Sequence, residues 1–253
     1  MRNRLLLTAR CFLGIIVVLG LAGCRTLEYR QVQRDFQAAV QADNAGQPQP
    51  FGNGFELVVT ALTPERIDQL DPRLRPNAWM LRAVSAWRSG SYSNANTSAE
   101  QGLKAAATLP DAKLFTGSRD DVLLHIIPAL VTDSEQTRRL DRTNASISAT
   151  DYKSFERAYK TALAQMDDAT GLFNDNTPDD VRYYYYYERW RLLQHWTTAI
   201  GRITPTDPDA ITNAFAQAKT ALGKPLEDAI NEARDKIPPG QQFRALIRAQ
   251  GGQ

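Results

Sequence analysis

The chain writes helix starts in one recurring way, and this limits it to a narrow class of folds. Thr63-Pro64-Glu65, Thr177-Pro178-Asp179 and Asp207-Pro208-Asp209 each place a hydroxyl or carboxylate, a proline and an acid in succession. The first side chain can accept from a free amide of the opening turn. Proline loses nothing there, because its missing N–H would have no intrahelical acceptor, and the acid meets the positive end of the helix dipole. Ser118-Arg119-Asp120-Asp121 is a weaker version of the same signal. Apolar residues then recur at helical spacing: Val32, Phe36, Ala39 and Val40 between Leu27 and Asp43, and Phe155, Ala158, Tyr159, Ala162 and Met166 later on. Strand signals do not recur. The pattern predicts an all-α protein, with a Gly- and Pro-rich loop from Ala45 to Gly54.

The most informative internal stretch runs from Asn77 to Pro110. Trp79 is followed by Ala83, Trp87, Gly90, Tyr92, Ala95, Ala99, Leu103 and Pro110. This resembles a tetratricopeptide repeat, a hairpin of two helices with small residues where they touch. The resemblance implies that Gly90 ends a first helix, that Tyr92 packs the turn, and that Ala95 and Ala99 let the second helix lie close. Three positions depart from the pattern: Arg82 stands where leucine is usual, Gly102 where alanine is usual, and Pro110 comes about three residues late. Weaker echoes follow. Trp190, Leu193, Ala199 and Gly201 suit a first helix, and Ala210, Ala214, Ala218 and Leu222 a second. Trp79 and Trp190 are 111 residues apart, near three such units, but clear motifs are lacking between them. The expected fold is therefore irregular stacked helical hairpins over 24–250, continuing through Pro225–Ile237 and Gln241–Ala249, with a frayed tail at 251–253.

The amino terminus carries a different kind of signal. Arg2, Arg4 and Arg10 precede an apolar run from Cys11 to Gly23, 13 residues long and followed at once by Arg25. A membrane-spanning helix needs roughly 20. Leu21-Ala22-Gly23-Cys24 resembles the lipobox of bacterial lipoproteins. The resemblance implies cleavage between Gly23 and Cys24, a signal peptide over 1–23, and a diacylglycerol on the Cys24 thiol with further acylation, commonly palmitate, on the new amine. A retained anchor or a plain secretory signal are the rival readings. Aspartate directly after the cysteine commonly retains such proteins at the inner membrane. Arg25 in that place implies the outer membrane, facing the periplasm, in a cell with two membranes.

Processing at that point leaves 27 basic against 28 acidic residues, a nearly neutral body with no concentrated basic run. Nucleic acid is therefore not an expected partner. Of the two cysteines, Cys11 would leave with the signal and Cys24 would carry lipid. The body must then stand on its apolar core, without disulfides.

The search for chemistry is mostly negative. His125 and His195 stand 70 residues apart, with no His-Glu-x-x-His motif. His125, within Val122–Ile127, reads as a packed helix residue. There is no Gly-x-Ser-x-Gly elbow or Ser-x-x-Lys, and Gly52-Asn53-Gly54 lacks the spacing and lysine of a phosphate loop. The acid pairs Asp120/Asp121, Asp167/Asp168 and Asp179/Asp180 read as helix residues, two of them at helix starts. No catalytic residue, metal ligand or cofactor is assigned. Scattered carboxylates that converged to ~5–9.5 Å in a cleft would indicate a glycosidase.

The most unusual stretch is Tyr183-Tyr184-Tyr185-Tyr186-Tyr187-Glu188-Arg189-Trp190. On a helix five consecutive tyrosines point all round. One reading is a central helix packed on both sides. The other makes these tyrosines a binding surface, since phenols offer contact area and a polar tip with little entropy to lose. The expected function is a membrane-anchored scaffold or assembly factor that binds a protein or peptide. An envelope enzyme acting on peptidoglycan or glycan, and a passive subunit of an envelope complex, are the alternatives.

The lipobox reading has a direct test. Cells fed a clickable fatty acid should label the wild-type protein, and Cys24→Ala should abolish the label.

Overall fold

The computed structural model describes residues 27–43, 54–143 and 146–203, with isolated positions at 209, 212 and 213. The lipobox, the signal segment, most of the 45–54 loop, the Asp207-Pro208 helix start, the helices expected after Ala210 and the 251–253 tail lie outside the described residues. Within them the protein is all-α. Its helices are α1 (27–43), α2 (Gly54–Ala61), α3 (Pro64–Asp68), α4 (Arg75–Arg88), α5 (Tyr92–Ala107), α6 (Ala112–Phe115), α7 (Arg119–Thr143), α8 (Ala149–Thr170) and α9 (Asp179–Gly201), with a 3-10 turn at Pro72–Leu74. An isolated parallel bridge joins Ile147 to Ile203.

The capping chemistry sets several of these boundaries. Thr63 Oγ1 accepts from the Arg66 amide, with Pro64 opening α3. Ser118 Oγ accepts from the Asp121 amide, and the Asp121 carboxylate reaches back to the Gly117 amide at 2.8 Å. Thr177 behaves otherwise than expected. Its hydroxyl accepts from the Asn174 amide in the preceding turn, so Pro178 occupies the cap and α9 opens at Asp179. Gly54, placed in the loop from its composition, instead opens α2.

Helices α4 and α5 form the hairpin expected from Trp79 to Leu103. Gly90 ends α4 at φ +80°, where a side chain would be strained. The Ser91 amide donates to Ala86 O and the Gly90 amide to Trp87 O, a Schellman closure that satisfies the last carbonyls. Ala95 and Ala99 are fully buried against the partner helix. Two of the three departures from the repeat pattern are explained by partners elsewhere in the chain. Arg82 Nη1 donates to Val59 O at 2.7 Å and Leu62 O at 3.1 Å, so its guanidinium caps the end of α2. Gly102 sits where an added Cβ would lie 2.7 Å from Leu124 of α7 and 3.1 Å from Trp79 of α4. Its bare backbone lets three helices meet.

The hairpins stack in order. Helix α7 lies parallel to α4: Asn77 bonds to Asp120 near their starts, and Trp87 Nε1 to Ser134 Oγ farther along. Helix α9 lies parallel to α7, with Arg119 paired to Asp180 at one end and Arg202 bonded to Leu140 O at the other. Helix α8 returns antiparallel between them, its Tyr152 hydroxyl accepting from Trp196 Nε1 and its Met166 carbonyl from the Tyr185 hydroxyl. Phe155, Tyr159, Ala162 and Met166 form its buried stripe. Helix α1 buries Tyr29, Val32 and Ala39 and runs parallel to α4, from Asn77 at its start to Arg88 at its end.

Overpacking this hairpin should be costly. Gly102→Ala or Ala95→Leu is expected to destabilise the protein by ~1–3 kcal/mol in urea melts, whereas Gly201→Ala, with open space at its Cβ, should not.

Candidate functional site

Helix α9 carries two neighbouring stripes at helical spacing. Tyr185, Arg189, Leu192 and Trp196 face α8; Tyr184, Glu188, Arg191 and His195 face α7 and α4. The first stripe belongs to the core. Tyr185 is fully buried, and the Trp196 ring stacks on Tyr159 at 6.2 Å. Arg189 Nε meets Asp167 at 3.0 Å.

The second stripe forms a polar cluster with α7 and α4. Arg191 Nη2 lies 2.8 Å from Glu188 and 3.7 Å from Asp133, and the guanidinium rests on the Trp87 ring at 5.7 Å. Both carboxylates are almost completely buried, each side chain 2% exposed. Burial pushes the Glu188 carboxyl above its usual range, against the pull of Arg191 and a hydrogen bond from Tyr184. Burial lowers the Arg191 pKa, but Glu188 and Asp133 outweigh it and raise the net value. Asp133 also holds His195, whose Nδ1 lies 2.8 and 3.0 Å from its two oxygens and 3.1 Å from Thr137 Oγ1. A carboxylate only accepts, so Nδ1 donates to Asp133. Arg88 of α4 borders the cluster, stacked on Trp87 and Phe55 and paired with Asp43 of α1.

The tyrosine run divides among these surroundings. The Tyr185 hydroxyl donates to Met166 O at 2.8 Å, which removes this residue from any binding surface. Tyr184 is half-buried with its hydroxyl deep in the polar cluster, where burial and then Glu188 raise its pKa well above the usual phenol value. Tyr186 is half-buried beside Phe173, edge to face at 6.3 Å. Tyr187 is half-buried beside Trp190, 5.9 Å between ring centroids. The Tyr183 side chain, like Gly23 and Cys24, lies outside the described residues.

At least one member of each acid pair serves the framework. Asp120 accepts from Asn77, Asp121 caps the α7 start, Asp167 holds Arg189, and Asp180 holds Arg119. His125 bonds within its own turn, its Nδ1 2.9 Å from Asp121 O and 3.1 Å from the Asp121 carboxylate, which raises its pKa. Among the described residues no cluster of three or more His, Cys, Asp or Glu side chains could hold a metal ion, and no helix is long and apolar enough to cross a membrane. Sequence reasoning missed the Glu188–Arg191–Asp133–His195 network. The spacing of Tyr184, Glu188, Arg191 and His195 was there to be found, but the adjacent tyrosines masked it. Comparison with known protein families, curated proteins and solved structures returned no match.

The network predicts its own failure. Arg191→Met leaves two buried carboxylates uncompensated and should cost ~3–5 kcal/mol at neutral pH. Part of the loss should return when Glu188→Gln is added. The single variant should also regain stability on acidification relative to wild type, since protonation removes the unpaired charge.

Proposed function

We propose that the chain is a lipid-anchored cell-envelope protein that holds a protein or peptide partner against the face made by α4, α7 and α9. The observation that carries this reading is that half-buried Tyr184 and Tyr187 lie beside the Arg88 guanidinium, which is 31% exposed. Tyrosine and arginine are the residue types that most often dominate an interface, and a rigid helical framework holds them with little entropy left to lose. The order of the hairpins, with α4, α7 and α9 parallel and α5 and α8 returning between them, supports a tetratricopeptide-like scaffold. The lipobox resemblance at Leu21–Cys24 supports the anchor, and Arg25 supports the outer membrane, facing the periplasm, where the cell has two membranes.

The glycan-cleaving alternative meets a specific obstacle. Asp133 and Glu188 are close enough together to suggest a carboxyl pair, and the raised Glu188 pKa suits a general acid. The Arg191 guanidinium, however, lies between them, and neither carboxylate is open to solvent. A substrate oxygen has no room there. Binding by the surrounding patch is the better use of this geometry.

The two roles of the tyrosines separate by mutation. Tyr185→Ala should cost ~3–5 kcal/mol, as expected for a buried aromatic. Tyr187→Ala should cost clearly less, yet lose the partner that crosslinks to the wild-type protein in intact envelopes. Equal capture by Tyr187→Ala and wild type, with the fold intact, would refute the binding surface.

A further inference from the structure

We propose that the end of the bundle at which α4, α7 and α9 begin rests on the bilayer, with Leu27 and Leu114 reaching the headgroup region. The proposal rests on the lipid anchor at Cys24 and adds the orientation of the body. Helix α1 is described from residue 27, three residues after Cys24. Three residues reach at most ~11 Å even when fully extended. That start is not free to swing. Tyr29 is 3% exposed, and its hydroxyl donates to Asn77 Oδ1. Gln33 Nε2 donates to the same oxygen at 3.1 Å, and Asn77 Nδ2 donates to Asp120 at 2.8 Å. The anchor point is thereby tied to the first turns of α4 and α7. Asn174, in the turn before α9, donates to Thr116 O at 3.0 Å, and Arg119 pairs with Asp180, so the start of α9 lies at the same end.

Two of the three exposed large apolar side chains mark that end. Leu27, Leu57 and Leu114 are the large hydrophobic residues that stand exposed among the described residues, at 64, 58 and 72%. Leu27 is the first described residue of α1. Leu114 lies in α6, within the segment that leads into α7 and carries Thr116. Leu57 lies toward the other end, because α2 runs antiparallel to α4 and its Phe55 sits against Arg88. The 17 described residues of α1 carry the chain roughly 25 Å from the membrane side to the α4–α5 turn. The Tyr187–Arg88 patch then opens sideways, above the lipid surface and within reach of partners in the surrounding space.

The mature lipoprotein would have no free thiol, since Cys11 leaves with the signal and the Cys24 sulfur carries lipid. Single Leu114→Cys and Leu57→Cys variants of the full lipidated protein can therefore be labelled with an environment-sensitive nitrobenzoxadiazole probe. Each is reconstituted into phosphatidylethanolamine–phosphatidylglycerol vesicles with and without nitroxide-labelled lipid, and flotation is scored on the same samples. The expected result is flotation of both variants, with a blue-shifted, nitroxide-quenched probe at position 114 and a water-like, unquenched probe at position 57. Flotation with an unquenched probe at 114, or equal quenching at both positions, overturns the orientation and leaves the anchor intact. Failure to float overturns the anchor and the orientation with it.

Discussion

The polar side of the bundle depends on one guanidinium. Arg191 supplies the positive charge that lets Glu188 and Asp133 stay buried side by side, and Asp133 in turn orients His195. Hydrophobic replacements could give similar stability in such a place, because a buried ion pair recovers little more than its desolvation cost. What the pairs add is register. A slide of α9 along α7 by one turn would carry Arg191 and His195 away from Asp133 and strand that carboxylate. An aromatic helix such as α9, apolar on several sides, would otherwise have few reasons to prefer one axial position.

Helix α7 is the element through which the other layers communicate. It packs against α4, α5, α8 and α9. On one side it accepts the indole N–H of Trp87 and the close approach permitted by Gly102; on the other it offers Asp133 and Thr137 to α9. Pro128 lies inside it and removes one backbone bond, to the Leu124 carbonyl. Long-range contacts thus converge on a helix whose own ladder is interrupted. Its stability comes from packing more than from local propensity, as is usual for helices in folded proteins.

The all-α class was legible from the sequence because it rests on local chemistry. Thr63 and Ser118 cap where their neighbours suggested, and Gly90 closes α4 in the left-handed conformation. Thr177 was misread because its hydroxyl has a closer acceptor role in the preceding turn, a choice that depends on where residue 174 is held. Arg82 and Gly102 looked like defects in a repeat, since their partners, the end of α2 and Leu124, come from elsewhere in the chain. The polar network was illegible for the same reason. Asp133 carries no mark in its own neighbourhood, and only the parallel packing of α7 and α9 brings it to Arg191 and His195. In the tyrosine run, composition announced importance without separating Tyr185 in the core from Tyr187 at the edge.

The parallel alignment of α1 with α4 has a mechanical consequence. A pull on the amino terminus along the α1 axis loads its interface with the body in shear. Tyr29 against Asn77 at one end and Asp43 against Arg88 at the other must slip together with the apolar stripe between them. A force across the α1 axis would instead peel its contacts away one at a time. Forced detachment is governed by the height of the barrier rather than by equilibrium stability, and concerted slip raises that barrier. A body tethered through α1 can therefore transmit tension between whatever holds its amino terminus and whatever grips its far side, without first giving up its leading helix.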